Sequence, residues 1–241
     1  MNKQIIFFDT ETTGNTEKDY LCQIAYKTRE QSFSALYKPP FKIPPEASAV
    51  HHISNKMIED KPAFKESLDY KIIKELFEHK DSVVVAHNAI FDLNMLKKED
   101  IVPKNFICTL RVARHLDPDG KIERYNLQYL RYFLEIEIEA QAHDALGDVL
   151  VLEKLFERLF DKIKKTDNLT DEKALEKMIE ISSHPSIFKF FNFGKHTGQE
   201  IGQVAETDRD YLEWLLKQKE EGDQIDEDWI YTLRHYLGML Q

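Results

Sequence analysis

Residues 5–14, Ile5-Ile6-Phe7-Phe8-Asp9-Thr10-Glu11-Thr12-Thr13-Gly14, end a four-residue apolar run in two acids spaced two apart, and this constrains the chain more than any other stretch. An apolar run of this length predicts a buried strand, and a period of two puts Asp9 and Glu11 on one face of it. Two carboxylates held side by side repel. Such a pair is tolerated where cations neutralise it, and oxygen-rich sites of this kind suit Mg2+ or Mn2+. A strand running out into a solvated polar turn would carry the same residues, so the pair alone leaves both readings open.

The rest of the chain sets the frame for that choice. At 241 residues, 42% apolar and 32% charged, the composition is that of an ordinary soluble protein with room for one mid-sized domain and a smaller one. The apolar start is too short for a signal peptide, no stretch approaches a membrane span, and the two cysteines, Cys22 and Cys108, have no zinc spacing. A cytoplasmic protein with no membrane partner is expected. The net charge of -10 argues against coating nucleic acid by bulk electrostatics. The acidity is uneven, however: residues 1–165 hold 25 Lys and Arg against 27 Asp and Glu, and residues 166–241 hold 8 against 16. Within the nearly balanced part, Lys97, Lys98, Lys104, Arg111 and Arg114 are candidates to meet phosphates, or equally to be solvated helix faces.

Three strand-like runs come first, at 3–9, 20–28 and 31–37, followed by short helices over 46–60. Pro62 opens a helix with apolar positions Leu68, Ile72, Ile73, Leu76 and Phe77, and Ser82–Ala86 reads as a buried strand feeding a helix over 89–98. A short strand at 106–108 then leads to helices at 109–116 and 126–134. A long helix follows at 145–164, striped by Leu146, Val149, Leu150, Leu152, Leu155, Phe156, Leu159 and Phe160. Strands followed by strand-helix alternation predict an α/β domain with a mixed sheet. A connecting helix is expected over 171–181. Beyond it lie an aromatic strand at 188–193, a basic turn at 194–198 and helices starting near Tyr211 and Asp228, together forming a small α+β module.

Two further acidic segments fall where such a domain gathers a site. In His87-Asn88-Ala89-Ile90-Phe91-Asp92 the acid sits in the first turn of a helix, which the helix dipole favours in any protein. In His143-Asp144-Ala145-Leu146-Gly147-Asp148, Asp144 suits an N-cap, Asp148 lies one turn in, and His143 precedes the helix. A His beside carboxylates is able to take a proton from water.

Taken in order, FFDTETTG, HNAIFD and HDALGD resemble the three motifs of the DEDD exonuclease superfamily in its His-containing branch, over residues 3–160. The resemblance implies an RNase H-like, five-stranded mixed sheet flanked by helices and a two-metal 3'-to-5' exonuclease. It makes Asp9, Glu11, Asp92 and Asp148 the ligands of two Mg2+ ions, for which Mn2+ substitutes, and His143 the general base. It also implies that the segment Thr10, Thr12, Thr13 and Gly14 receives the terminal nucleotide, opposite Asn88 and Phe91. Phe91 either stacks on a base or packs its helix on the sheet. His51 and His52 match a superfamily loop and are assigned no chemistry.

The segment Phe193–Ile201 followed by Tyr211–Leu216 resembles the C-terminal module of exodeoxyribonuclease X-like proteins. The expected division is therefore 1–165 exonuclease domain, 166–181 connecting helix and 182–241 module, with the module's aromatics and Trp214 forming its core. Its turn at Gly194-Lys195 is open to a phosphate-binding or a protein-docking role. Three functions fit: a free-standing exonuclease acting at DNA 3' ends in repair or recombination, a proofreading subunit of a replicative polymerase, and an RNA-trimming enzyme. The tail favours the first, with a polymerase or repair protein as candidate partner through the module.

Overall fold

The computed structural model describes residues 3–16, 18–138, 145–222 and 226–240. Five strands, β1 (Gln4–Thr12), β2 (Leu21–Lys27), β3 (Ser32–Leu36), β4 (Ser82–Ala86) and β5 (Phe106–Cys108), form one sheet in the order β3-β2-β1-β4-β5. The β1–β2 and β2–β3 pairs are antiparallel, while β1–β4 and β4–β5 are parallel. The mixed sheet read from the sequence is thus present, and the order follows from the connections. Loops without helices join the first three strands, whereas each parallel neighbour is reached through a helix.

The helices are α1 (Pro45–His51), α2 (Leu68–Glu78), α3 (Ala89–Lys98), α4 (Thr109–His115), α5 (Leu127–Phe133), α6 (Ala145–Thr166) and α7 (Asp171–Ser183). Strand alternation sorts the core into two layers. Phe7, Ala25, Val83, Val85 and Ile107 face α4 to α7, while Ile6, Phe8, Ile24, Tyr26, Val84 and Ala86 face α2 and α3. Each buried Val, Ile or Phe among them contributes about 1.5–3 kcal/mol relative to exposure. Asp9 and Glu11 share the parity of Phe7, so they point toward the layer that contains α6.

The structure divides one apolar stripe and overturns two expectations. Leu68 and Ile72 are exposed, at 92% and 58%, because α2 turns Ile73 and Phe77 to the sheet and leaves the neighbouring stripe in solvent. The aromatic run at 188–193 forms no strand but a single bridge, Phe190 to Glu200, before a helix the sequence reading had not placed, α8 (Ile201–Thr207). The tryptophan of the C-terminal core is Trp229, stacked on Phe191 at 5.6 Å, whereas Trp214 is 54% exposed. That core joins α8 to α9 (Arg209–Glu221) and α10 (Glu227–Tyr236) through Ile201, Val204, Leu212, Leu215 and Leu233.

The C-terminal helices are fastened to the sheet domain by buried charge. Arg111 on α4, 5% exposed, donates through Nε to Asp228 Oδ1 at 3.2 Å, through Nη2 to Glu227 at 3.1 Å and through Nη1 to the Ser182 carbonyl at 2.8 Å. Arg114 pairs with the other oxygen of Asp228 and lies 4.6 Å from the Phe188 ring centre. Asp228 also accepts the Ser186 N–H at 2.9 Å. Removing one partner of such a buried pair strands the other, at a cost of about 3–5 kcal/mol. Asp228→Ala is therefore expected to lower stability by about 3 kcal/mol. Urea unfolding reads the loss, and limited proteolysis should show new cleavage around 184–190. A variant as stable as the wild type would show that this network does not hold the module.

Candidate active site

β1 outlasts its parallel neighbour. Its last pair with β4 is Phe7 with Val85, yet it runs on beside β2 to Thr12. β4 ends at Ala86 and the chain leaves through Asn88, whose φ of 59° lies in the left-handed region that Asn tolerates better than most residues, into the first turn of α3. A crevice therefore opens at the carboxyl ends of the parallel strands, where α/β sheets place their ligands.

Asp92 closes one wall of that crevice. On the side where β4 has ended, the Thr10 N–H donates to Asp92 Oδ1 at 3.1 Å and the Thr10 hydroxyl donates to the same oxygen at 2.6 Å. Asp92 is 3% exposed, and burial pushes its carboxyl up to about 7 despite the two Thr10 hydrogen bonds, which favour the anion. The opposite wall is α6. Asp148 is buried there, and its Oδ1 accepts from Gln128 Nε2 of α5 at 2.5 Å.

Between the walls, oxygens of Asp9, Glu11 and Asp148 lie within 4.8 Å of one another. The sheet parity that points both strand acids toward α6 brings them to Asp148. Asp92 is not part of this close group, and His143 lies outside the described residues.

The turn after β1 is braced by Asp19, which sequence reasoning missed. The Thr13 hydroxyl donates to Asp19 Oδ1 at 2.8 Å, and Thr16 donates to Oδ2 from its N–H at 2.9 Å and its hydroxyl at 2.7 Å. Burial opposes the Asp19 anion, but these bonds and Lys98 hold it below the usual carboxylate range. A Cβ on Gly14 would stand 2.6 Å from Asp19 Oδ2, so the brace requires glycine. The Thr12 hydroxyl donates to the Gly14 carbonyl at 2.5 Å, while Asn88 is exposed and Phe91 half-buried at the start of α3.

Of the five basic candidates, Arg111 and Arg114 are occupied by Asp228 and Glu227, so they do not serve phosphates. The Lys98 ammonium donates to the Asp19 carbonyl at 2.7 Å, and Lys97 and Lys104 are exposed. In the C-terminal turn, Gly194 (φ 72°) and Gly198 (φ 81°) permit the tight path, but Lys195 pairs with Asp208 at 2.6 Å and His196 Nε2 meets the same carboxylate at 2.8 Å.

His87 was also missed, and its position beside Asn88 was the available signal. Nδ1 lies 2.9 Å from the Thr109 hydroxyl and Nε2 lies 2.6 Å from the Tyr125 carbonyl. A carbonyl only accepts, so Nε2 carries the proton and Nδ1 accepts from Thr109. Burial lowers this imidazole to about 4, with Arg114 adding to the effect and the Tyr125 bond opposing it. The folded pKa lies below the unfolded one, so the stability held above pH 6.5 is lost as pH falls toward 4. This group is expected to account for about 2 kcal/mol of that loss, allowing for a ring that keeps some exposure. Urea midpoints between pH 4 and 7 should fall less steeply in His87→Gln than in the wild type. Parallel profiles would remove His87 from the account.

With this geometry in place, comparison with known proteins identifies the class. Residues 6–156 match the family model described as Exonuclease, and residues 191–220 match the model described as Exodeoxyribonuclease X-like C-terminal. Exodeoxyribonuclease 10 of Escherichia coli (strain K12) is 33% identical over 205 residues, covering 85% of this chain and 84% of that protein. The DNA polymerase III epsilon subunit of Treponema pallidum (strain Nichols) is 31% identical over 191 residues, covering 72% of this chain and 86% of its own. Among solved structures, exonuclease X in complex with 5' overhanging duplex DNA aligns with a TM-score of 0.56 at 26% identity, over 74% of this chain and 99% of that one.

The chain belongs to the exonuclease family, with an exodeoxyribonuclease X-like C-terminal segment, and is a 3'-to-5' exonuclease with the RNase H-like fold. Enzymes of this family use divalent metal ions. The donor set fits such an ion, because three carboxylates supply only hard oxygen ligands at close range.

Proposed function

We propose that this protein removes nucleoside 5'-monophosphates one at a time from DNA 3' ends, as a free-standing repair or recombination nuclease. The observation that carries the reading is the convergence of Asp9, Glu11 and Asp148 at the end of β1, with Asp92 tied to the same strand through Thr10. In this reading Asp9, Glu11, Asp92 and Asp148 hold two Mg2+ ions, or Mn2+ in their place. Bound there, such ions neutralise the phosphodiester and stabilise the departing 3'-oxygen.

The residues of the chain do the remaining work. Gln128 holds Asp148 in orientation by donating to Oδ1, and Thr10 holds Asp92 in the same manner from β1. The Thr12–Gly14 turn, stiffened by Asp19, receives the terminal nucleotide against Asn88 and Phe91. His143 takes the proton of the attacking water as oxygen adds to phosphorus and the bond to the upstream 3'-oxygen breaks. A neutral imidazole is needed for that step, so the rate should fall as pH drops from 7 to 5.

The family's polymerase epsilon relatives support a proofreading role less well. The C-terminal helices here spend Glu227 and Asp228 on Arg111 and Arg114 of the chain's own nuclease domain. The likeness to an exodeoxyribonuclease over 85% of the chain favours DNA over RNA. A digest of end-labelled single-stranded DNA, duplex DNA and RNA by purified protein with Mg2+ tests the whole reading. Nucleotides should leave from the 3' end of DNA, EDTA should stop the reaction, and Asp9→Ala or Asp148→Ala should reduce the rate by about a thousandfold or more, the scale on which removing essential site groups acts. Ion binding has its own readout. Mg2+ at about 100 times its dissociation constant adds about 2.7 kcal/mol to the wild type, a melting shift of several degrees that Asp9→Ala should lack. Digestion that continued in EDTA would overturn the metal assignment.

A further inference from the structure

We infer that the outer face of α5 carries the single-stranded run of DNA upstream of the scissile phosphate, an inference that rests on the nuclease reading above. A groove of about 420 Å³ lies along this helix, lined by Arg124, Asn126, Gln128, Tyr129, Tyr132 and Phe133. One residue of the lining, Gln128, is the one that donates to Asp148, so the groove adjoins the carboxylate cluster.

Its chemistry is that of a base-stacking platform. Tyr132 is 74% exposed and Phe133 50% exposed, while the Tyr129 and Phe133 rings stack with centres 6.0 Å apart and planes 16° from parallel. Among the described residues of α5 the fully buried apolar side chain is Leu130, while Tyr132 and Phe133 are exposed. The Arg124 side chain is exposed and forms no ion pair among the described residues, so it is available to a phosphate. Aromatic faces with one cation suit single-stranded nucleic acid, whose bases stack without regard to sequence. A folded protein partner would also cover aromatics. It would not need them to adjoin a carboxylate cluster that binds a phosphodiester.

The position sets which part of the strand is held. The Thr12–Gly14 turn and the start of α3 bound the crevice on the side of Asp92, and α5 bounds it on the side of Asp148. The terminal nucleotide enters at the first wall, and the chain behind it leaves across α5.

The test compares a thymidine dinucleotide, too short to reach α5, with a 12-mer of thymidine. In the wild type the 12-mer should have the lower KM by a large factor. The double variant Tyr132→Ala, Phe133→Ala should shrink that dinucleotide-to-12-mer ratio by about tenfold or more, given the strength of base stacking on aromatic rings. In Arg124→Ala the salt dependence of log KM for the 12-mer should weaken by about 0.7 for each phosphate that the arginine had neutralised. A ratio within twofold of the wild type overturns the inference. If the wild type degrades neither substrate, the nuclease reading fails instead. Polarisation of the labelled 12-mer in Ca2+ then still decides the role of α5: an affinity unchanged in the double variant overturns it.

Discussion

The structure depends on like charges being forced together at the end of β1. Asp9 and Glu11 share a face because a strand has a period of two, and the face they share is the one packed by α6. A one-residue slip in the β1–β2 register would turn both acids into the α2 and α3 layer, among Phe8, Tyr26 and Phe77. That alternative buries two unpaired charges in an apolar core, so the same acids that define the site also reject the wrong register.

Holding carboxylates this close requires that their orientation be fixed by other groups, and the fold supplies those groups from both walls. Thr10, lying between the two strand acids but pointing the other way, spends its N–H and hydroxyl on Asp92. On the other side His87 grips the Tyr125 carbonyl, two residues before the start of α5, and α5 delivers Gln128 to Asp148. Both supports begin at the point where β4 stops pairing with β1. The early end of one strand thus opens the crevice and also frees the backbone and side chains that line it.

What was legible in the sequence was whatever repeats with a period. The five strands, the long α6 and the parity of Asp9 and Glu11 follow from alternation and from a 3.6-residue stripe. The family resemblance added the grouping of Asp9, Glu11 and Asp148, which no local pattern contains. What could not be read was orientation between elements. Leu68 and Ile72 fit a helical stripe as well as Ile73 and Phe77 do, and only the placement of α2 on the sheet separates them. Gln128 and His87 escaped notice because they act through bonds across the fold, to Asp148 and to Thr109 and Tyr125, and Asp19 because its bonds to Thr13 and Thr16 form only in the folded turn. The Phe188–Phe193 run has strand composition, yet its rings turn inward onto Trp229 and leave a single bridge, an outcome decided by tertiary packing over local propensity.

The acidity of the C-terminal segment takes on a specific meaning in this setting. Two of its acids neutralise Arg111 and Arg114 on α4, and Asp208 neutralises Lys195 in the glycine turn, so the segment consumes cations that the sequence had offered to phosphates. Electrostatic attraction for a polyanion is thereby withdrawn from the α4 side, where Arg111 and Arg114 sit. A chain of net charge -10 gains little from long-range steering. On the function proposed above, its hold on a nucleic acid comes from contacts made at close range, with cations at the carboxylate cluster and aromatic faces beside it. This favours a nuclease that engages an end already within reach over one that coats or slides along a duplex.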